Sequence, residues 1–244
     1  MYDQHRTNRV ATIGLFLALA AVLAIAVTGP LHRTGRVSLT TAFLILRWAA
    51  YGGIAALLCG ILGAILAARR GRGMAAAVAT LVICIGGLAL PASWLRQASR
   101  VPRIHDITTD PDRPPAFVAV APLRAGAPNP IVYGGPELAA QQRQGYPDLA
   151  PLTLAVPPDR AFDRALATAR AMGWELVASD PAAGRIEATD TTFWFGFKDD
   201  IVIRVTPASG SSRVDVRSLS RVGLSDVGTN AARIRKFLKR LGSG

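Results

Sequence analysis

The residues best suited to chemistry lie in a short polar segment, IHDITTD, at positions 104–110. It contains His105, Asp106, Thr108 and Asp110, and Asp112 follows it. An imidazole and several carboxylates can together bind a divalent cation. However, the spacing differs from that of a calcium-binding loop, and no further His or Cys follows to complete a zinc site. A second interpretation is structural, with the Asp and Thr side chains satisfying backbone groups of a tight turn.

The rest of the sequence contains none of the common catalytic motifs. There is no GxSxG nucleophile motif, no HExxH metal motif and no glycine-rich phosphate-binding loop. His105 also lacks a recognisable nucleophile partner in the sequence. We therefore expect a noncatalytic protein and predict no cofactor and no metal.

A second set of candidate binding residues lies in the aromatic segment EATDTTFWFGFKDDIVIRV, residues 187–205, and comprises Asp190, Trp194 and Arg204. Its aromatic and β-branched residues predict a strand over 185–197 and a returning strand over 201–206. The acidic pair Asp199-Asp200 is the expected turn between them. We expect this hairpin to be the centre of an antiparallel sheet.

The two faces of the predicted hairpin differ in composition. Alternation puts Phe193, Phe195 and Phe197 on one face, and Trp194 with Gly196 on the other. If helices cover the phenylalanine face, Trp194 and the space beside Gly196 could form the floor of a ligand groove. In the alternative, residues 101–151 pack over that face and Trp194 fills the core.

The last two candidates, Arg221 and Asp226, precede the final predicted helix. The segment SDVGTN, residues 225–230, leads into this helix, and Asp226 or Asn230 can cap it. A helix N-terminus can also bind an anion, and Arg221 is nearby in the sequence. The sequence is compatible with both interpretations, capping and anion binding.

Three long apolar runs precede these candidates. They span residues 10–28, 42–68 and 74–95, and at about 1.5 Å per residue each crosses a hydrocarbon core of about 30 Å. We therefore predict three transmembrane helices in residues 1–96. The densest basic cluster, Arg69-Arg70-Gly71-Arg72, favours a cytoplasmic second loop and a C-terminal domain on the outer side.

The formal net charge of +12 is concentrated in the membrane half. Residues 1–103 hold 11 Arg and one Asp, which leaves +10, whereas residues 104–244 hold 17 Lys and Arg against 15 Asp and Glu, which leaves +2. Arginines beside apolar spans are typical of contact with anionic headgroups. A nucleic-acid partner is therefore not expected, and membrane lipids are.

The second half of the chain predicts one mixed domain. Residues 97–151 are rich in Pro and Gly and are expected to form a linker that wraps it. Residues 152–244 follow the order strand, helix, four strands, helix. The predicted fold class is α+β, in which helices lie on one face of an antiparallel sheet, and the order is similar to that of helix-grip domains.

Five separated motifs carry a family resemblance. They are IHDITTD, PPAF (114–117), GYPDLAP (145–151), ATDTTFWFGFKDDIVIRV (188–205) and SRVGLSDVGTNAARIRKFL (220–238). Together they resemble the family catalogued as domain of unknown function 1499, over roughly residues 101–241. The resemblance implies a shared fold and surface, and members of the family occur in bacteria, often behind membrane spans, and in photosynthetic organelles. Together with the basic second loop, it predicts a multi-pass protein of the bacterial inner membrane with a periplasmic C-terminal domain. It supplies no reaction and no catalytic residue.

The function predicted from the sequence is a membrane-anchored, noncatalytic binding or assembly module with an unidentified protein or small-molecule partner. Two alternatives stay open. One is a metal-dependent or hydrolytic enzyme that uses His105 and nearby carboxylates. The other is a lipid or hydrophobic-ligand domain with a cavity between sheet and helices.

Overall fold

The computed structural model describes residues 8–243, so positions 1–7 of the predicted membrane region lie outside the described residues. The chain divides into two compact units. The first contains Met1–Arg96 together with Phe193–Gly196, and the second contains Gln97–Thr192 and Phe197–Gly244. A four-residue piece of the second half of the sequence thus belongs to the first unit.

Three helices make up most of the first unit: α1 (Arg9–Arg33), α2 (Leu39–Arg70) and α3 (Met74–Ala98). All three are long and apolar enough to cross a membrane, which confirms the three apolar helices predicted from the sequence. Helix α1 extends beyond the predicted apolar run of residues 10–28, because it continues through Pro30 to Arg33.

Small residues bring these helices close together. A Cβ placed on Gly14 of α1 would lie 2.9 Å from the Cβ of Cys59 on α2, and one on Gly63 would lie 2.9 Å from the Cβ of Ala11. Thr80 of α3 donates a hydrogen bond from its Oγ1 to the carbonyl of Ala76, one turn earlier. Larger side chains at the glycine positions would force the helices apart.

The second unit is built on an antiparallel sheet. Its elements are β1 (Asp106–Thr108), a 3-10 helix (Ala121–Arg124), α4 (Gly135–Gly145), β2 (Leu152–Leu154), α5 (Pro158–Ala171), β3 (Glu175–Asp180), β4 (Arg185–Thr191), β5 (Lys198–Ala208), β6 (Ser211–Ser220) and α6 (Thr229–Ser243). The strand order is β1-β6-β5-β4-β3, and β2 pairs with β6 beyond β1. From β2 onward, the order strand, helix, four strands, helix is the predicted one, and the α+β fold class is confirmed.

One face of the sheet is apolar and carries α5 and α6. Three isoleucines are fully buried on this face, as period-2 alternation predicts: Ile186 on β4, and Ile201 and Ile203 on β5. The amphipathic helices contribute their apolar sides, and the Phe237 ring of α6 stacks on Trp174 at 5.4 Å between centroids. This face contains the main hydrophobic core.

The opposite face of the sheet is charged, although it is buried. Its alternating positions include Glu187, Asp200, Arg204, Asp215 and Arg217. A largely irregular stretch, residues 110–131, lies over this face and is called the covering segment below; its Phe117 and Val120 form a small apolar cluster with Val202 and Leu219 of the sheet. The covering segment therefore shields this face of the sheet from solvent, as a second layer of helices does in other folds.

The predicted hairpin at the aromatic segment is wrong in its turn. Strand β4 ends at Thr191, and Asp199 and Asp200 lie inside β5, where they pair with Asp190 and Thr189. Two hydrogen bonds close the connection, from Thr192 N to Phe197 O at 2.8 Å and from Phe197 N to the Oγ1 of Thr192 at 2.8 Å.

The intervening residues 193–196 form a loop, called the aromatic loop below. Gly196 has φ of +71°, a conformation that favours glycine. The prediction that Phe193, Phe195 and Phe197 alternate with Trp194 across a sheet is therefore wrong. Packing of Trp194 against Ala26 and Gly29 overrides the strong β-propensity of the aromatic residues, and β5 begins only at Lys198.

Candidate functional site

His105 contributes to the structure through its backbone. Its carbonyl oxygen accepts hydrogen bonds from Ser220 N and from the Nδ2 of Asn230, each at 3.0 Å. The Nδ1 of His105 is buried and has no hydrogen-bond partner among residues 8–243. Within the same residues, no three His, Cys, Asp or Glu side chains are close enough to bind a metal ion together.

Asp106 forms a buried ion pair with Arg217 of β6. Two parallel hydrogen bonds, of 2.9 and 2.8 Å, join the guanidinium to the carboxylate. Nη1 and Nη2 of Arg217 also donate to the carbonyl oxygens of Pro115 and Ile131, both in the covering segment. Arg217 also lies over the ring of Phe117, 4.9 Å from its centroid. One arginine therefore joins β1, β6 and the covering segment.

Asp110 and Asp215 share two arginines at the next positions of the charged face. The Nη2 of Arg204 donates to Asp110 at 3.1 Å and to Asp215 at 2.9 Å. Arg213 bonds the same two carboxylates. The arginines are partly exposed, whereas both carboxylates are buried. Each carboxylate is thus already neutralised within the domain.

The prediction that Thr and Asp side chains satisfy backbone groups near IHDITTD agrees with the observed hydrogen bonds. Thr108 Oγ1 accepts from Asp110 N at 3.2 Å, and Asp110 Oδ1 accepts from Arg113 N at 3.0 Å. The first part of the segment is, however, a strand rather than a turn.

On its free edge, β1 is completed by a side chain. Gln142 of α4 accepts from Thr108 N at 2.9 Å and donates to Thr108 O at 2.7 Å, as a neighbouring strand would.

Asp200 lies at the centre of a second buried group. It accepts hydrogen bonds from Arg124 of the covering segment, from Arg221 at 2.8 and 2.9 Å, and from Thr189 Oγ1 at 2.7 Å. Burial alone would raise the pKa of this carboxyl, but the hydrogen bonds from Arg221, Thr189 and Arg124 outweigh it and hold the pKa below its ordinary value. Arg221 is therefore engaged internally.

Asp190 is part of a third ion-paired group, at the helix-covered side of the sheet. Arg233 of α6 donates from Nε to Asp190 at 2.8 Å and from Nη2 to Asp199 at 2.6 Å. Its Nη1 bonds Asn230 and the Oγ of Ser218. Arg233 is thus buried and fixes α6 to β4, β5 and β6.

Asp226 caps α6, as one of the two predicted interpretations states. Its Oδ1 accepts from Gly228 N and its Oδ2 accepts from Asn230 N, each at 2.8 Å. Burial raises the pKa of Asp226 above the ordinary value of an aspartate, and the two backbone N–H groups oppose that change. The carboxylate of Asp226 therefore bonds two N–H groups at the start of α6.

Sequence reasoning did not select Glu187, which is fully buried on the charged face. Its carboxylate accepts from the backbone N–H groups of Val118, Ala119 and Val120 at 2.8 to 3.1 Å. Arg185 lies 3.1 Å away. The sequence does indicate a charged sheet face, because the charged residues 213, 215 and 217 alternate along one strand and therefore share one side of the sheet.

Trp194 lies in the aromatic loop and is packed within the first unit. Its Nε1 donates to the carbonyl of Ala26 at 3.3 Å, and its ring meets that of Trp94 edge-on at 6.3 Å. A Cβ at Gly29 would lie 2.5 Å from the Cδ1 of Trp194, so the glycine leaves room for the indole. Trp194 therefore belongs to the first unit, whereas the other predicted site residues belong to the second.

A surface pocket of about 370 Å³ is found beside the covering segment, and we refer to it as the Tyr133 pocket. The residues that line it are Pro111, Asp112, Pro114, Tyr133, Gly135, Pro136, Ala139 and Arg143. Burial and the nearby Asp106 carboxylate raise the pKa of Tyr133 to about 12, so the phenol is protonated at neutral pH. At the rim, Arg143 forms an exposed ion pair with Asp112. The pocket combines an apolar wall with one cation and one anion.

Of the predicted site residues in the second unit, all but His105 have side chains bonded inside the domain. A comparison with known families matches residues 106–241, more than half of the chain, to the family described as "Protein of unknown function (DUF1499)". No curated protein matches the sequence. The chain therefore belongs to the DUF1499 family, as its five motifs predict.

Proposed function

We propose that this protein is a membrane-anchored, noncatalytic binding module that contacts a protein partner through the Tyr133 pocket. We further propose that α1, α2 and α3 cross a bacterial inner membrane and that the second unit faces the periplasm. The apolar lengths of the helices and the arginines at positions 69, 70 and 72, in the short loop after α2, support this topology. A C-terminal fusion to a reporter that is active only in the cytoplasm tests this topology. A signal from that reporter would contradict it.

The internal pairing of the charged groups carries the proposal for a noncatalytic role. Asp106, Asp110 and Asp200 each bond at least one arginine within the domain, and all three carboxylates are buried. A catalytic carboxylate must reach its substrate and exchange protons with it. These carboxylates instead attach the covering segment to the sheet, so their chemistry is used in folding.

The Tyr133 pocket remains as a concave surface with mixed chemistry. Its volume lies in the range of about 300–1,000 Å³ that is common for ligand sites. Three prolines and an aromatic ring suit an apolar side chain, and Arg143 with Asp112 suits charged neighbours of that side chain. These properties favour a polypeptide segment as the ligand.

Site-specific photocrosslinking in native membranes tests this function. A photoreactive residue at Val132, which is exposed beside the pocket, should yield a discrete protein adduct. The same residue at Ala167, on the exposed side of α5, is the control and should not. We expect Arg143→Glu to abolish the adduct at 132 while the protein level stays unchanged. Absence of an adduct, or equal adducts at both positions, would contradict the proposal.

The enzyme alternative rests on His105, whose Nδ1 is buried and unbonded among the described residues. It requires turnover of a defined substrate that His105→Ala abolishes without unfolding the protein, and that result would overturn the noncatalytic proposal. The alternative of a lipid cavity between sheet and helices is not supported by the packing, because Ile203, Ile234 and Phe237 are fully buried within one continuous core.

A further inference from the structure

The aromatic loop lies at the end of an apolar span. Trp194 bonds Ala26 and packs on Gly29, and the uncharged run of α1 ends at Thr28. That run of 19 residues is about 28 Å long at 1.5 Å per residue, close to the thickness of a hydrocarbon core. The indole therefore sits where the apolar part of the span gives way to polar residues.

Neighbouring side chains have the composition of a membrane–water interface. Trp94 of α3 meets Trp194, and Phe43 of α2 lies 6.1 Å from Phe195 between ring centroids. Arg33, in the last turn of α1, donates from Nη1 to the carbonyl of Phe193. Tryptophan and arginine at the ends of apolar spans are typical of the layer between headgroups and acyl chains.

Phe193 itself is the most exposed aromatic side chain of the described chain, at 88%. Its ring has the guanidinium of Arg33 on one side, at 5.9 Å from the centroid, and is otherwise uncovered. An exposed phenylalanine gains no free energy of burial unless it enters an apolar medium. Its place next to the interfacial residues indicates which medium covers it.

We infer that the aromatic loop is a membrane-interface anchor, in which Phe193 inserts among the lipid acyl chains just below the headgroups and Trp194 is held against Gly29. The loop is then a second attachment to the bilayer, separate in sequence from the three helices. This inference rests on the proposed membrane anchorage of the first unit. The partner is lipid, since the arginine and tryptophan neighbours match a bilayer interface.

Spin labels at single cysteines measure the depth directly. The full chain, with Cys59 and Cys84 replaced by Ala, is reconstituted in vesicles of phosphatidylethanolamine and phosphatidylglycerol. Nitroxides are placed at 193, at Leu58 in the middle of α2, and at Ala167 on α5. At 193 we expect a ratio of oxygen to nickel-chelate accessibility several-fold higher than at 167 and lower than at 58.

The three positions separate the possible failures. In one outcome, the label at 58 lies in lipid while the label at 193 is as accessible to the chelate as the label at 167. That result would overturn the anchor and leave the proposed membrane spans intact. A label at 58 in water would refute the membrane anchorage itself.

As a second variant, Gly29→Leu should displace Trp194 and reduce the depth at 193. Gly86→Leu is the control, because a Cβ there meets no atom within 4 Å. An unchanged depth of the label at 193 in Gly29→Leu would contradict the packing of the Trp194 indole against Gly29.

Discussion

Glu187 on β4 accepts a hydrogen bond of 2.8 Å from the backbone N–H of Val120 in the covering segment. The same carboxylate also accepts from Val118 and Ala119, although it is fully buried. Three consecutive N–H groups converging on one anion resemble the start of a helix or an anion-binding turn. The Glu187 carboxylate is thus the anion that these three N–H groups bind, and it holds the covering segment against the sheet.

Removal of this charge should loosen the covering segment. In Glu187→Gln, the amide NH₂ would face a backbone N–H, which leaves a buried donor unbonded at a cost of about 1–3 kcal/mol. We expect a lower thermal midpoint in detergent and faster hydrogen exchange at residues 118–120. Glu175→Gln, at an exposed position on β3, is the matched control. Unchanged exchange at 118–120 would show that the carboxylate does not hold the segment.

The ion pair of Asp106 and Arg217 can be tested with a double-mutant cycle. Either single substitution, Asp106→Asn or Arg217→Met, leaves a buried partner uncompensated and should cost about 3–5 kcal/mol. The double variant should cost less than the sum of the two, because no lone buried charge remains. Additive losses of unfolding free energy would mean that the two groups do not interact.

Asp200 should give the domain a defined acid sensitivity. Its pKa is lowered in the folded protein, so its ionised form contributes stability above the pKa of the unfolded chain, about 3.9. That contribution is lost as pH falls through the lowered folded pKa. The difference in unfolding free energy between wild type and Asp200→Asn should therefore be constant from pH 5 to pH 7, on the order of 3–5 kcal/mol, and shrink at more acidic pH.

The matched control for this titration is Asp163→Asn, at an exposed position of α5. It should differ from wild type by no more than about 0.5 kcal/mol at any of these pH values. A gap for Asp200→Asn that persists unchanged at the acid end would contradict the assigned direction of the pKa shift.

Two turn glycines differ in what surrounds them. Gly184, between β3 and β4, has φ of +59°, and a Cβ there would lie 2.2 Å from the carbonyl oxygen of Val205. Gly210, between β5 and β6, has φ of +65° with no atom within 4 Å. Gly210→Ala should cost only the backbone strain, about 1–2 kcal/mol, and Gly184→Ala should cost clearly more. Equal losses of thermal stability would show that the close approach at Gly184 relaxes freely.

Local pattern alone determined most of the elements. The apolar runs specified α1, α2 and α3, and the alternation of β5 and β6 together with the 3.6-residue periodicity of α5 and α6 specified the sheet and its helices. These signals are short-range, since each depends on residues within one element. The five motifs likewise identified the family without any coordinates.

Tertiary structure decided the role of each charge. Asp106 and Arg217 are 111 positions apart, and Glu187 meets amides 67 to 69 positions away, so no spacing rule links them. Tertiary packing also removed the aromatic loop from the sheet, since Trp194 is seated on Gly29 within the first unit. Sequence alone determined which segments are apolar or alternating, whereas the pairing of buried charges depends on long-range contacts that only the folded chain creates.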